Sequence, residues 1–475
     1  MKLSFLDNNN GAQSAKDALS KMKILVMGLG LNGGGLETAI FFAKIGSDII
    51  VTDLKSYEEL KPSVEKLSKF KNIKFVLGHH DTNDFKWADL VIKNPIVHLK
   101  GNPYLKEAKN IQSDISLFSY LTKAPLLAIT GTKGKSFTST ALHYGLLKLG
   151  FNSFLGGNIG KCPLAFLEKT SENTPIVLEL SSWQLKDLKQ CEKFKPHIAI
   201  VTPIMEDHQN WYKNMEEYVL DKSVIYENQT KEDFLILNYD DAWGKKMGES
   251  AKANIFWYSE KPLPKGVKGC FFDSDGNGVL KNEDAQLVKL LGNDLKIVGN
   301  KLKQNLLNAS LALYLLGAPS EKIAKVMKDF TGIEHRMELF FTTKNNISFY
   351  NDSAATIPEA TCAALSSFKE KPILITGGTD KSLNFAPLAN NAYKAKKIFL
   401  LKGSATCKLI PLLKEKNIEY NGPYEDFNTL LLKLKNEVQA GDNVILSPAS
   451  SSFELFKNEF DRGNQFKNKV KEIFE

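Results

Sequence analysis

Twice in this chain an apolar run of strand type ends directly in a glycine-rich turn and gives way to a helical pattern: KILVMGLGLNG at 23–33 and PLLAITGTKGKS at 125–136. Glycine permits the positive φ that turns backbone N–H groups toward an anion, and the helix that follows aims its N-terminus at the same point. Two such strand–turn–helix units confine the chain to α/β folds on parallel sheets, because parallel strands need a crossover connection and the helix supplies it. The other apolar runs keep the alternation. DIIVTDL (48–54), TPIVLELSS (174–182) and KPHIAIVTPI (195–204) read as buried strands, the stretch 254–300 is more β-like and turn-rich, and helix returns with NLLNASLALYLLG (305–317). A last set of strands at ISFYNDS (347–353), KPILITGG (371–378), KKIFLLKG (396–403) and DNVILSPAS (442–450) precedes a charged helix expected from about Ser452. Over 475 residues, pattern and length predict three α/β domains, 1–113, 114–333 and 334–475.

In GLGLNG, Gly28, Gly30 and Gly33 carry the G-x-G-x-x-G spacing, and Asp53 ends the next strand about twenty residues on. Alone, this is a dinucleotide fingerprint and suggests an NAD oxidoreductase; its physics suits any nucleotide diphosphate. The second loop nearly fits the phosphate-loop pattern. Gly131, Thr132, Lys133, Gly134, Lys135 and Ser136 form it, but Ile129 stands where the strict pattern has its first glycine. Backbone amides there cradle phosphate, Lys135 reaches the β/γ-phosphates and Ser136 is placed for Mg²⁺. Glu179 interrupts an apolar strand, which is costly unless the carboxylate meets a metal or a salt bridge. His208, in MEDHQNWY, is a metal ligand, a phosphate binder or neither, and by composition Lys222 is a solvated helix lysine. DSDGNGVLKNED (273–284) imitates a calcium loop, but its twelfth position is Asp284 and no helix pair flanks it, so a β-turn is expected.

The net charge of +8 is spread along the chain, which favours polyanionic small molecules such as nucleotides over nucleic acid. Arginine occurs only at Arg336 and Arg462, where a planar, bidentate fork is expected to matter. Five scattered cysteines, no apolar h-region at the N-terminus and no apolar run near the roughly 18 residues of a membrane span predict a reduced, cytoplasmic protein with no membrane partner, and a monomer is expected.

Two nucleotide-type loops, the non-standard phosphate loop and three α/β units together resemble the Mur ligases, from Gly28 to Gln465. That family's loop, T-G-T-N-G-K-[ST], also lacks the first glycine, so Ile129 is ordinary there and Lys133 replaces an asparagine. The resemblance implies an N-terminal Rossmann-like UDP-binding domain, a central P-loop ATPase-like domain with a mostly parallel sheet and a C-terminal Rossmann-like domain that closes during the reaction. It implies an ATP-dependent amide ligase of peptidoglycan precursor synthesis, adding D-glutamate to UDP-N-acetylmuramoyl-L-alanine through an acyl phosphate. Gly30, Leu31, Asn32 and Asp53 then hold UDP, with Asn158 of GGNIG and Ser181 on the sugar side. Ser136, Glu179, His208 and Lys222 surround two Mg²⁺ ions, Lys222 being carbamylated by CO₂. Asn305 and Asn308 of KQNLLN face adenine, with Gln304 in place of the family histidine, while Arg336 and Asp352 serve ATP. Thr356, Lys381, Ser452 and Phe453 serve the acceptor amino acid, with Arg462 close by.

Two departures fall on the acceptor side: Ala354 replaces a family lysine, and Glu459–Phe460 reverses the family order of aromatic then glutamate. The alternatives are another Mur-type or folylpolyglutamate-type ligase with a different acceptor, a dehydrogenase, and a catalytically degenerate nucleotide-binding protein.

Overall fold

The computed structural model describes residues 12–31, 33–207 and 211–475. Its strands form three sheets. The first holds β1 (Lys23–Met27), β2 (Asp48–Asp53), β3 (Ile73–Leu77), β4 (Leu90–Lys93) and β5 (Ile111–Gln112) in the order β3-β2-β1-β4-β5, all parallel. The second holds β6 (Leu126–Thr130), β7 (Phe154–Gly157), β8 (Ile176–Glu179), β9 (Ile198–Val201), β10 (Phe234–Asn238), β11 (Asn254–Tyr258), β12 (Gly269–Phe272), β13 (Gly278–Lys281) and β14 (Leu287–Leu291). Its order is β14-β13-β12-β11-β10-β9-β6-β8-β7, antiparallel only at β12–β13 and β13–β14. The third holds β15 (Glu338–Thr342), β16 (Ser348–Asn351), β17 (Ile373–Thr376), β18 (Lys397–Leu401), β19 (Asn421–Tyr424) and β20 (Asn443–Leu446). Its order is β15-β16-β20-β17-β18-β19, antiparallel only at β15–β16.

The chain divides into two compact units, Met1–Leu291 with Asn305–Ala324, and Gly292–Gln304 with Lys325–Glu475. In the first unit one continuous apolar cluster runs from the faces of β1 and β4 (Ile24, Ile92) to those of β6 and β8 (Leu126, Leu178). In the second, alternate residues of the central strands fill opposite faces: Leu374, Leu400 and Ile445 on one, Ile375, Phe399 and Leu446 on the other. Strands buried on both faces carry unbroken apolar runs, which is why they were readable in the sequence.

The closing helix starts later than expected, at Glu459, and runs to Phe474. Asn458 accepts from the Asp461 N–H and caps it, leaving 452–458 as loop and turn. The helix expected at 305–317 spans Asn300–Leu315, and Gly317 at φ 89° lies just beyond its end. The calcium-like segment is the β12–β13 hairpin: the Asp273 carboxylate accepts from the backbone N–H groups of Asp275 and Asn277. All five cysteines are free thiols. No helix among the described residues is long and apolar enough to cross a membrane.

Candidate active site

The turn after β6 is shaped by Gly131 and Gly134. Gly131 has φ 137°, and a Cβ there would lie 2.0 Å from Thr202 Oγ1 on the loop after β9. Gly134 has φ 89° and faces the Asn305 side chain, 2.6 Å from where a Cβ would sit. Gly131 leaves no room for a side chain because the Thr202 backbone lies close as well, and at Gly134 the left-handed φ would strain any other residue. Thr132 locks the loop: its N–H donates to Pro203 O at 2.9 Å and its hydroxyl receives the Met205 N–H at 3.0 Å. Helix Lys135–Lys148 begins here with Gly134 at its N-cap and no side-chain cap, and its N-terminus is the end that attracts an anion.

Two lysines converge on one carbonyl. Gly131 O accepts from Lys135 Nζ at 3.0 Å and from Lys222 Nζ at 2.8 Å. Lys222 is 1% exposed and sits 4.4 Å from the centroid of the Tyr218 ring. Its hydrogen bond contributes about 1.5–3 kcal/mol if charged, and the ring about 2. Desolvating an ammonium costs several kcal/mol, and Lys135 adds like-charge repulsion, while the charges of Asp207 and Asp221 oppose the shift. Burial therefore wins and holds Lys222 well below the usual lysine range. Lys135 is lowered too, chiefly by burial, with Glu179 and Asp207 opposing the shift.

Glu179 ends β8 at 1% exposure, paired in register with Ile129 of β6 and Gly157 of β7. Its Oε1 accepts from Asn158 Nδ2 at 2.8 Å, and Ser139 Oγ lies 3.5 Å from Oε2. Asn158, expected at the sugar, thus orients this carboxylate. Ser181, expected at the substrate, forms a capping box with Gln184 at the start of helix Ser182–Leu188. Among the described residues no cluster of three or more His, Cys, Asp or Glu could hold a metal. The oxygen donors near the loop, Ser136 and Glu179, suit Mg²⁺ shared with phosphate oxygens and water rather than an all-protein cage. His208 and Asn32 lie outside the described residues.

Asn305 lies against the phosphate loop, whereas Asn308 is fully enclosed, its Oδ1 3.9 Å from the Cys270 thiol. At the first sheet, Gly28, Gly30 and Gly33 all have positive φ, and Leu31 is exposed. The Asp53 carboxylate turns back on this loop, accepting from the Gly30 N–H at 3.1 Å and the Lys55 N–H at 3.0 Å. The tightest helix–turn contact falls on Gly35, where a Cβ would lie 2.1 Å from Gly28 O.

In the second unit, Arg336 is exposed between two left-handed residues, His335 at φ 64° and Met337 at φ 49°. Such backbone costs of order 1–3 kcal/mol per residue and persists where surroundings impose it. Here Glu338 Oε2 receives the His335 N–H and Asn351 Nδ2, both at 2.9 Å. Asp352 receives the Met337 N–H at 3.2 Å and the Ser447 hydroxyl at 2.7 Å, and burial pushes its carboxyl up to about 7. Thr379 and Ser451 pair as a β-bridge, bringing the loops after β17 and β20 together. Lys381 Nζ lies 5.6 Å from the Phe453 centroid, and the buried Ser452 hydroxyl has no partner among the described residues. Thr356 is half-buried on the loop after β16, two residues past Ala354. Arg462 is buried with its fork on the carbonyls of Ser353, Ser450 and Ser451 and on the Ser353 hydroxyl. It ties the loops after β16 and β20 together through backbone carbonyls.

Sequence reasoning missed Tyr218 and Thr202. Tyr218 stands four residues before Lys222 on one helix, a spacing that marks a shared face. Thr202 carries no local signal, since only folding brings it against Gly131.

A model of the Mur ligase middle domain matches residues 129–315. The UDP-N-acetylmuramoylalanine--D-glutamate ligase of Treponema pallidum (strain Nichols) is 39% identical, covering 98% of this chain and 100% of that protein. The protein of the same name from Borreliella burgdorferi (strain B31) is 40% identical, over 96% of this chain and 99% of its own length. Among solved structures, the MurC UDP-N-acetylmuramate-alanine ligase of Thermotoga maritima superposes with a TM-score of 0.56 at 19% identity, covering 95% of this chain and 100% of that one. The MurF ligase of Thermotoga maritima in complex with ADP gives 0.55 at 15% identity, covering 96% and 99%. These two likenesses concern the fold.

Proposed function

The chain belongs to the Mur ligase family, and from that membership we propose that it joins D-glutamate to UDP-N-acetylmuramoyl-L-alanine at the expense of ATP, in the synthesis of peptidoglycan precursors. The observation that carries the reading is likeness along nearly the whole chain to two ligases of that name, at 39% and 40% identity. The phosphate loop, with Lys135 and Lys222 on one carbonyl, supplies the chemistry such a reaction needs.

A carboxylate does not condense with an amine in neutral water. The L-alanyl carboxylate first attacks the γ-phosphorus of ATP, releasing ADP and leaving an acyl phosphate. The amine of the acceptor then attacks the acyl carbon, and the tetrahedral species expels phosphate. In our reading the loop amides at 131–136 and Lys135 hold the phosphates and offset their charge. Ser136, Glu179, His208 and a carbamylated Lys222 hold Mg²⁺, which when bound screens the phosphate oxygens and aligns them. Burial supports the carbamate: a neutral Lys222 amine can add to CO₂, releasing one proton and creating a carboxylate. Arg336 adds a fixed cation on the nucleotide side, while Thr356, Lys381, Ser452 and Phe453 hold the acceptor.

Lys135→Ala tests the site. Ligation, followed by ADP release, is expected to fall by about a hundredfold or more with the melting temperature unchanged; full turnover would remove the loop from the mechanism. Ala354 favours a second reading, the same chemistry with another acceptor amino acid.

A further inference from the structure

Within the first unit, three aromatic rings from three strand ends meet. His98 lies on the loop after β4, Trp183 in the first turn of the helix after β8, and Trp211 on the segment after β9. His98 stacks on Trp211, with centroids 4.6 Å apart at 26°, and meets Trp183 edge-on at 5.6 Å. The two indoles stand 5.9 Å apart at 78°. Such a cluster usually fills a core, but Trp211 is 56% exposed, and Ile96 and Leu99 beside His98 are 66% and 48% exposed. His98 Nε2 is shut off from solvent yet has no hydrogen-bond partner among the described residues. A buried polar atom in that state is costly unless something completes it.

The location narrows what that is. Asn94, four residues before His98, backs onto Gly28, where a Cβ would lie 2.8 Å from Asn94 Cβ. Lys93 pairs with Asp187 at 2.5 Å, clamping the end of β4 to the helix that carries Trp183. Trp183 itself follows Glu179 by four residues. The rings therefore sit on segments that lead from the diphosphate-type loop and from Glu179, beyond the C-terminal ends of the parallel strands β4, β8 and β9, where ligands of α/β sheets bind. The part of the substrate joining its UDP to its reacting carboxylate is an N-acetylated, lactyl-substituted sugar carrying an amide. A pyranose has apolar C–H faces that suit an open indole, and its amides suit an imidazole nitrogen.

We propose that His98, Trp183 and Trp211 form the platform for the N-acetylmuramoyl-alanyl part of the UDP substrate, Trp211 against the sugar face and His98 Nε2 on an amide. Trp183 backs the other two rings. Burial, aided by the charges of Lys93 and Lys186, holds His98 below the usual imidazole range, so a neutral ring is presented. This platform deepens the function proposed above and rests on it.

Calorimetry on the full chain, titrated with UDP and with UDP-N-acetylmuramoyl-L-alanine, tests it. Trp211→Ala should weaken the sugar nucleotide roughly tenfold, with UDP unchanged, and Trp211→Phe should retain most of the affinity. His98→Ala should weaken the sugar nucleotide, and His98→Gln should recover part of the loss. In turnover, KM for the sugar nucleotide should rise while KM for ATP and kcat hold. Unchanged affinity for the sugar nucleotide in both alanine variants, or equal weakening of UDP, overturns the platform alone. Wild-type protein that does not bind the sugar nucleotide overturns the proposed activity and the platform with it.

Discussion

Lys222 is enclosed against a carbonyl and an aromatic ring, and burial, with the neighbouring Lys135 charge, outweighs the opposing pull of Asp207 and Asp221 on its ammonium. That environment favours the neutral amine over the ammonium, and it is the reason to expect carbamylation. Lys222→Ala and Lys222→Arg should both lose a hundredfold or more in turnover, the arginine because it stays charged and cannot take up CO₂. Protein equilibrated with ¹³C-bicarbonate should show a carbamate resonance that the alanine variant lacks; near-normal turnover in both variants would end this role. Asp352 offers a pH test. Its folded-state pKa of about 7 lies above the ordinary carboxyl value near 4, so between the two the folded state binds more protons. The group's contribution to stability is thus greatest at low pH and falls as pH rises toward 7. Asp352→Asn should gain melting temperature relative to wild type between pH 5 and pH 8, and an unchanged difference would contradict the burial argument. Residue-scale chemistry was legible where types and spacing suffice, as at Lys135 and Glu179. At Lys222 the sequence offers a helix lysine among charged neighbours, and its burial appears only when β6 and the helix Met215–Ser223 come together.

Among the elements, the loops after β16 and β20 depend on one side chain. Arg462 reaches them from the closing helix and places its guanidinium on backbone carbonyls of both. Lysine has neither the planar fork nor enough donors to replace it. Arg462→Lys should cost about 3 kcal/mol in denaturant unfolding and raise KM for the acceptor amino acid, with KM for ATP unchanged. An unaltered acceptor KM would show that the loops hold without it. The sparing use of arginine had singled out Arg462, but as a ligand-side group; its role as a scaffold follows from burial, which one sequence does not display. Strands were legible because runs such as ILIT and LLAIT are buried on both faces. The start of the last helix was missed because SSSFELFK is compatible with helix, and Arg462 draws Ser450 and Ser451 into a loop instead.

At the scale of the molecule, the alternation of apolar strands and helices foretold α/β layers with mostly parallel sheets, and the three sheets have that character. Their grouping was less legible. The first two sheets share an apolar cluster and fall within one compact unit, and 292–304 groups with the second unit although it precedes 305–324 in sequence. Neither fact follows from local pattern, because both depend on contacts between distant segments. The side proposed for the acceptor is also where the chain departs from the pattern it otherwise resembles, at Ala354 and at Glu459–Phe460. The most direct measurement is therefore phosphate release by the purified protein with Mg-ATP, UDP-N-acetylmuramoyl-L-alanine and, in turn, D-glutamate, L-glutamate, ornithine, lysine and diaminopimelate. Release with D-glutamate alone is the predicted result; release with another acceptor only, or with none, would contradict it.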